Sequence, residues 1–363
     1  MHMADALLSP AVGGTMCAVS AGTIAYCSHK VRTELDDSKV PLMGVLGAFI
    51  FAAQMINFTI PVTGSSGHLG GGLILAILLG PYAAFLTIAS VLMVQALFFA
   101  DGGLLALGCN IFNLGFFPAF IAYPLVYKKI IGDTPTAMKI SVASILAAVV
   151  GLQMGAFGVV LETISSGISS LPFSTFAAMM QSIHLAIGII EGLVTAAVVT
   201  FVYKARPEIM QSALETRPIG SHPLRNTALA FLAVAVVTGG MVSWLASTNP
   251  DGLEWAITKV TGQEELKGPE QGLHGALAAL QERIAILPDY SFRKPAEVTR
   301  TASQPESVQT HKTAQAEQKP VGKKTEEPKH SAGTSLAGLV GGMITLGFVF
   351  LIGFALKCRK QAG

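Results

Sequence analysis

Apolar runs long enough to cross a membrane recur from one end of the chain to the other. The hydrocarbon core of a bilayer is about 30 Å thick, which takes roughly 20 apolar residues of helix. Of the 363 residues, 51% are hydrophobic and only 13% are charged, and the mean hydropathy is +0.57. Soluble domains carry about 25% charged residues. The sequence therefore predicts an all-α integral membrane protein that is surrounded by membrane lipid.

Basic residues decide how many times the chain crosses the membrane. Cytoplasmic loops are enriched in Lys and Arg, and four such clusters follow apolar runs. All four lie in the cytoplasm only if residues 69–99 form two helices, and Gly80-Pro81 favours this break because proline interrupts the helix ladder. The N-terminus is then extracytoplasmic and the C-terminus cytoplasmic. The predicted segments are approximately 10–28, 41–57, 69–79, 81–99, 106–127, 138–162, 179–203, 226–247 and 334–356.

Two histidines lie on the predicted outer face. His2 follows the first residue, where we expect no preceding cleavable signal, and His68 lies in a Gly/Ser-rich loop between two apolar runs. The Met1 amine, the His2 amide nitrogen and the His2 imidazole can chelate one metal, and the His68 imidazole can complete a square plane. Such flat nitrogen coordination points to Ni(II) or Cu(II). The alternative is that Met1-His2 is an ordinary chain start with no ligand role.

Other polar residues near this face are candidates for supporting roles. Ser65 and Ser66 belong to the loop that carries His68, residues 58–68, which we call the histidine loop. Gln54 and Asn57 lie three residues apart just before it. We expect Gln54 and Asn57 to bind the loop or the N-terminal segment, or to make an ordinary interhelical hydrogen bond. Asp5 can accept a hydrogen bond from a ligand histidine or cap the first helix.

One polar pair lies within a predicted span. His184 and Glu191 are seven residues apart and therefore share one face of the seventh segment. Polar residues are expensive in hydrocarbon, so each needs a purpose. Two interpretations stay open: a relay for protons or metal, as in a proton-coupled secondary carrier, or a satisfied pair that holds the helices together.

The C-terminal third has a different organisation. A turn at Pro250-Asp251-Gly252-Leu253-Glu254 precedes a short helix, and a further helix is predicted at about 269–287. Residues 293–333 have almost no large apolar side chains and are predicted to be a flexible tether. Together with the segments 226–247 and 334–356, they form two spans joined by an extracytoplasmic loop.

The chain resembles a known family over nearly its whole length. Residues 1–205 are similar to the CbiM/NikM substrate-binding (S) component of the energy-coupling-factor transporters for nickel and cobalt. Residues 226–363 resemble the NikN-type accessory subunit, and residues 206–225 form a cytoplasmic linker. The matching motifs are Met1-His2, Leu8-Ser9-Pro10, Asn57-Phe58, Thr63 through Gly71, and Pro250 through Glu254.

The resemblance implies a bundle of about seven helices followed by a two-helix unit, in the inner membrane of a bacterial cell. It implies Ni(II) as the transported substrate, held by Met1, His2 and His68, with no organic cofactor. Uptake of Co(II) for cobalamin synthesis is the alternative. The implied partners are a transmembrane coupling (T) component and cytoplasmic ATPase subunits.

Motifs for other functions are absent from the sequence. The chain contains no Gly-x-x-x-x-Gly-Lys-Ser/Thr phosphate loop, so energy is expected to come from partner ATPases. It has no His-Glu-x-x-His helix for an intramembrane metalloprotease. It also lacks a basic and aromatic surface for nucleic acid. A transport subunit rather than an enzyme is therefore predicted, with a passive metal receptor as a further alternative.

Overall fold

The computed structural model describes residues 2–34, 39–215, 224–263, 266, 268–269, 271–292 and 332–361. These ranges are mostly helical, which confirms the predicted all-α class. The N-terminal part contains α1 (Pro10–Glu34), α2 (Lys39–Gln54), α3 (Gly72–Leu79), α4 (Pro81–Phe99), α5 (Leu107–Ile131), α6 (Ala137–Ser166), α7 (Phe173–Ala205) and α8 (Pro207–Glu215). The C-terminal part contains α9 (Arg225–Gly240), α10 (Gly252–Thr261), α11 (Gly272–Ile284) and α12 (Ala332–Gln361).

Five helices within the described ranges are long and apolar enough to cross a membrane, namely α4, α5, α6, α7 and α12. Helices α2 and α9 are apolar but shorter. Each predicted segment contains a helix; α4 has the predicted bounds, and the ends of the other helices differ from the prediction by up to seven residues. The largest difference is at the eighth segment, which was predicted to reach residue 247. Helix α9 ends at Gly240 and a short 3-10 turn, Val242–Leu245, follows it.

The predicted break between α3 and α4 is present. Gly80 has φ 84° and ψ 164°, a conformation that residues with a Cβ rarely adopt, and Pro81 begins α4. All eight residues of α3 are buried. A half-helix with open ends is tolerated at membrane depth only where protein surrounds it. Helix α3 therefore places an irregular segment, the histidine loop, inside the bundle.

The histidine loop is more ordered than the sequence suggested. It contains an antiparallel hairpin of two three-residue strands, β1 (Phe58–Ile60) and β2 (Ser65–Gly67), with Phe58 opposite Gly67. The turn between them includes Val62 and Gly64, both at positive φ. The strands were not predicted because they are too short to show an alternating pattern.

The C-terminal spans pack directly on the N-terminal bundle. The backbones of Gly239 in α9 and Gly338 in α12 are in contact, because neither residue has a side chain to separate them. Helix α12 also packs along α2, where Gly341 lies against the ring of Phe51. The segment that follows α9 is therefore carried to the end of the bundle where the histidine loop lies.

Part of the predicted cytoplasmic linker is a packed helix. Helix α8 buries Ile209, Met210 and Ala213. The hydroxyl of Tyr123 in α5 donates a hydrogen bond to the Ala213 carbonyl at 3.1 Å. This segment is therefore part of the N-terminal bundle, while residues 216–223 lie outside the described part of the chain.

A buried carboxylate fixes the start of α3. Glu191 of α7 is 2% exposed and accepts hydrogen bonds from the backbone N–H groups of Gly70 at 2.9 Å and Gly71 at 3.1 Å. These N–H groups lie at the N-terminus of α3, where helical backbone donors lack partners and a negative charge is favourable. The contact anchors the residues that directly follow His68.

We expect the substitution Glu191→Leu to destabilise the protein, because it leaves two buried N–H groups without acceptors at a cost of about 1–3 kcal/mol each. Glu191→Gln should cost less, since the amide keeps one acceptor oxygen. Thermal unfolding of the detergent-solubilised protein measures both. Equal midpoints for Glu191→Leu and the unmodified protein would contradict the capping role.

Candidate metal site

The structure brings the two predicted histidine ligands together. The ring centroids of His2 and His68 are 4.9 Å apart, and the ring planes differ by only 9°. Two nitrogen ligands that are each about 2.0–2.1 Å from one metal lie about 3 Å apart when they are adjacent. Rings at this separation can present nitrogen atoms at that distance. His2 and His68 are therefore close enough to form a candidate metal site.

His68 is held in a form that suits metal binding. Its side chain is 8% exposed, and its Nδ1 lies 3.1 Å from the Leu69 carbonyl oxygen. When Nδ1 donates its proton there, Nε2 carries the lone pair that a metal requires. Burial lowers the pKa of His68 below its ordinary value, while Asp251 and Asp101 act in the opposite direction. The imidazole is thus neutral at neutral pH.

The N-terminal segment is fixed to α5 and to the loop that precedes it. The Met3 backbone N–H donates to Asn110 Oδ1 at 2.8 Å, and the Met3 carbonyl accepts from the Gly103 N–H at 2.9 Å. The Met3 side chain is fully buried. These contacts hold the backbone of His2 at one position above the bundle. Met1 lies outside the described residues.

Asp5 has a different role from either of its two predicted ones. Its Oδ1 accepts a hydrogen bond from the Ala106 N–H at 3.0 Å, at the N-terminus of α5. Ser9 instead caps α1, since its Oγ accepts from the Val12 N–H at 3.3 Å. The Asp5 side chain therefore attaches the N-terminal segment to the start of α5.

Asp101 is the acidic residue in direct contact with His2. His2 Nδ1 lies 3.0 Å from Asp101 Oδ1, and His2 Nε2 is buried without a hydrogen-bond partner. The other carboxylate oxygen, Oδ2, accepts a hydrogen bond from the hydroxyl of Tyr290 at 2.5 Å. Burial by itself would raise the pKa of Asp101, but the contacts with His2 and Tyr290 lower it below the ordinary range. Asp101 is therefore an anion beside the candidate ligand.

The Pro-Asp-Gly-Leu-Glu turn of the C-terminal part covers the histidine loop. The Ser66 N–H donates to the Pro250 carbonyl at 2.7 Å, and Ser66 Oγ donates to the Asn249 carbonyl at 2.8 Å. Ser65 Oγ lies 3.3 Å from the Pro250 carbonyl. The Trp255 indole N–H donates to the Thr63 carbonyl at 2.9 Å. The hairpin is therefore held by the C-terminal part as well as by its own turn.

The acidic residues of that turn shape the turn itself. Asp251 caps α10 by accepting from the N–H groups of Leu253 and Glu254, and the Glu254 carboxylate accepts from the Asp251 N–H, which forms a capping box. The Asp251 carboxylate also acts electrostatically on His68. The Pro-Asp-Gly-Leu-Glu turn therefore starts helix α10 and also places a negative charge near the candidate site.

The remaining predicted residues are two near the histidine loop, Gln54 and Asn57, and the polar pair of α7, His184 and Glu191. Gln54 donates a hydrogen bond from its Nε2 to the Gly70 carbonyl at 2.8 Å. Asn57 contacts the C-terminal part through its backbone carbonyl, which accepts from the Ser247 N–H at 2.7 Å. His184 and Glu191 are not hydrogen-bonded to each other. His184 Nδ1 lies 2.8 Å from the Met180 carbonyl, while Glu191 caps α3.

Sequence reasoning missed Asp101, Asn110 and Tyr290. Asp101 follows an apolar span on the predicted outer face and precedes two glycines, so its position could have marked it. Asn110 and Tyr290 carry no such signal. Among the residues that the structure describes, no three His, Cys, Asp or Glu side chains form a group that could hold a metal ion. The candidate site therefore consists of two imidazoles and their main-chain neighbours.

Comparison with known proteins gives two family matches that together cover most of the chain. Residues 2–209 match the family described as cobalt uptake substrate-specific transmembrane region, CbiM, and residues 225–358 match the PDGLE domain. A chain from Archaeoglobus fulgidus named as a fused nickel transport protein, NikMN, is 35% identical over 297 residues, which cover 80% of this chain and 88% of that one. The fused nickel transport protein NikMN of Rhodobacter capsulatus is 30% identical over 320 residues, with the same coverage of both chains.

A solved structure also resembles the fold. The crystal structure of a truncated transition metal transporter has a TM-score of 0.50 and 29% sequence identity, and the match covers 56% of this chain and 99% of that one. The apolar helices and the related proteins thus define a multi-pass membrane protein of a nickel and cobalt transport family. The chain belongs to the CbiM family and carries a C-terminal PDGLE domain.

The contact between Ser66 and the PDGLE turn can be tested directly. Ser66→Ala removes a buried hydroxyl and should weaken the docking of the hairpin by about 1–3 kcal/mol, because it leaves the Asn249 carbonyl without that donor. We expect faster amide hydrogen exchange across residues 58–67. Thr59→Val is the matched control, since the Thr59–Ser247 hydrogen bond is exposed and such surface changes usually lie within about 0.5 kcal/mol. Equal exchange in the two variants would contradict the docking role.

Proposed function

We propose that this protein is the substrate-specific subunit of an ATP-driven nickel uptake transporter. It binds Ni(II) at the extracytoplasmic face in a flat site of four nitrogen atoms. The ligands are the Met1 amine, the His2 amide nitrogen and imidazole, and the His68 imidazole. The observation that supports this assignment is the parallel arrangement of the His2 and His68 rings, 4.9 Å apart, although 66 residues separate them in the sequence.

The chelate requires a particular edge of the His2 ring. A ring that binds metal together with its own amide nitrogen must use Nδ1, because only this atom closes a six-membered chelate. In the structure Nδ1 faces Asp101, and Nε2 is the nitrogen without a hydrogen-bond partner. A half turn about the Cβ–Cγ bond directs Nδ1 to the metal and leaves Nε2 on the edge that faces Asp101. Asp101 can therefore accept an N–H from His2 in either orientation.

The donor set favours Ni(II), since a square plane with an amide nitrogen suits a d⁸ ion. Co(II) is the second candidate, because the family that matches residues 2–209 is described by cobalt uptake. Competition between the two ions for the purified protein discriminates them. Tighter binding of Co(II) than of Ni(II) would reverse the assignment of the substrate.

His68→Ala should lower nickel affinity by more than about 100-fold, because even the outer hydrogen-bond partners of metal ligands contribute 10–100-fold. The measurement is equilibrium nickel binding to the purified protein, together with the visible absorption band of flat Ni(II). His29→Ala is the control, since His29 is exposed and contacts Arg32. Full nickel affinity in His68→Ala would refute the site.

The role of the chain start needs a separate variant. One residue added before Met1 converts the amine into an amide and moves the new amine away, while every side chain stays the same. We expect the absorption band of flat Ni(II) to disappear and affinity to fall. An unchanged band would show that the Met1 amine is not a ligand and that the remaining donors suffice.

Transport also requires partners, and α1 presents a surface that suits one. We propose that a transmembrane coupling component packs on its exposed small residues, with cytoplasmic ATPase subunits beneath it. Small residues let two helices approach closely in lipid, and the open space around Gly14 and Gly22 is consistent with such an approach. The exposed residues at helical spacing are Ala11, Thr15, Ala18, Gly22 and Ala25.

Gly22→Leu should prevent close approach on this face and reduce both co-purification of the coupling component and ATP-dependent nickel uptake. Nickel binding to the isolated subunit should not change, because Gly22 lies away from the histidines. Gly347→Leu is the matched control, as Gly347 of α12 also has open space around its Cα. If both Gly22→Leu and Gly347→Leu co-purified with the coupling component as well as the unmodified protein does, this surface of α1 would not be the docking site.

A further inference from the structure

Three groups from distant parts of the chain form a line of hydrogen bonds beside the candidate metal site. The hydroxyl of Tyr290 donates to Asp101 Oδ2 at 2.5 Å, and Asp101 Oδ1 lies 3.0 Å from His2 Nδ1. Tyr290 belongs to the PDGLE domain, whereas His2 and Asp101 belong to the N-terminal bundle. Each oxygen of the carboxylate thus has a different partner, one in each domain.

We propose that Tyr290 is a positioning residue: through Asp101, it fixes the plane of the His2 imidazole so that the ring edge away from Asp101 faces the metal. The inference rests on the proposed function, since it assigns a purpose to the same nickel site. It also gives the PDGLE domain a contact with a metal ligand that is separate from its contact with the histidine hairpin.

The end of α4 holds Tyr290 in place. The backbone N–H groups of Ile286 and Leu287 donate to the Phe98 carbonyl at 2.8 and 3.2 Å. The ring of Tyr290 stacks on Phe99, with centroids 5.2 Å apart and planes 20° apart. The segment before Tyr290 is therefore attached to the residues that directly precede Asp101, so the two groups move together.

A second contact ties the same segment to the loop that carries Asp101. Gln281 Nε2, at the end of α11, donates to the Ala96 carbonyl at 2.9 Å and to the Gly102 carbonyl at 2.7 Å. Gly102 directly follows Asp101. The PDGLE domain thus contacts the chain on both sides of this carboxylate.

The backbone at Tyr290 is in an unusual conformation. Asp289 has φ 50° and Tyr290 has φ 56°, in the left-handed region that residues with a Cβ seldom occupy. Local preference alone does not produce two consecutive residues of this kind. The tertiary contacts of Tyr290 are what maintain this geometry, as is common where a side chain must be aimed at a functional group.

The Tyr290 hydroxyl matters because the Asp101 carboxylate could rotate without it. A carboxylate that accepts from a metal-bound histidine orients the ring and strengthens it as a ligand. With Oδ2 bound by Tyr290, Oδ1 stays directed at His2. Without the hydroxyl, the carboxylate loses its second fixed partner and the His2 ring loses its preferred orientation.

The test is nickel binding to the full-length purified protein with Tyr290→Phe, which removes the hydroxyl but retains the ring that stacks on Phe99. We expect about 10-fold weaker binding, at the lower end of the 10–100-fold effect of outer partners of metal ligands. We also expect faster nickel release and a shifted absorption band. Tyr203→Phe is the matched control, since it removes a hydroxyl that donates to the Pro135 carbonyl at 3.1 Å.

A double-mutant cycle separates positioning from general stabilisation. If Tyr290 acts through Asp101, then Tyr290→Phe should have no further effect on affinity in the Asp101→Ala background. An undiminished 10-fold effect there would overturn the inference. So would a Tyr290→Phe protein that unfolds at lower temperature but binds nickel as tightly as the unmodified chain.

The same experiment distinguishes failure of the inference from failure of the proposed function. If the unmodified protein binds nickel in a way that depends on His68 and Tyr290→Phe binds equally well, only the role of Tyr290 is rejected. If the unmodified protein shows no His68-dependent binding of nickel or cobalt, both proposals are rejected.

Discussion

The absence of water in the bilayer is the constraint on which this structure depends. Backbone groups that are not in a helix must find partners within the protein when they lie at membrane depth. The histidine loop enters the bundle as irregular chain, and the protein meets this requirement with buried side chains. The carboxylate of Glu191 accepts the N–H groups of Gly70 and Gly71, and the amide of Gln54 donates to the Gly70 carbonyl. His68 can therefore be held rigidly without regular secondary structure.

The same requirement explains why two domains meet at the site. The hairpin of residues 58–67 is also held from outside, because the carbonyls of Asn249 and Pro250 accept hydrogen bonds from the hydroxyl and the backbone N–H of Ser66. The N-terminal segment is likewise held by Asn110 of α5 and by Gly103 of the loop before α5. Both histidines therefore lie on segments whose positions are determined by distant parts of the chain. In the proposed metal site, binding of the ion would therefore depend on the contact between the domains.

Electrostatics at the site are arranged for a cation. Burial keeps the His68 imidazole neutral, while Asp101 remains an anion in contact with His2. A metal that binds the imidazoles is thus compensated by a carboxylate that is near the ligands but need not bind the ion. The charge near the site comes from both domains, since Asp251 also acts on His68.

The sequence by itself determined the membrane bundle, because apolar runs, the break at Gly80-Pro81 and the basic clusters are local properties. It also indicated His2 and His68, since topology placed both on one face, and the family resemblance supplied the ligand set. It could not show that Asp5 holds the start of α5, that His184 and Glu191 have separate partners, or that Asp101 and Tyr290 lie beside His2. Those facts depend on which helices pack together, and packing in lipid follows from close contacts between residues far apart in the chain. Only the tertiary structure decides them, because a carboxylate reads the same in the sequence whether it caps a helix, orients a ligand or faces water.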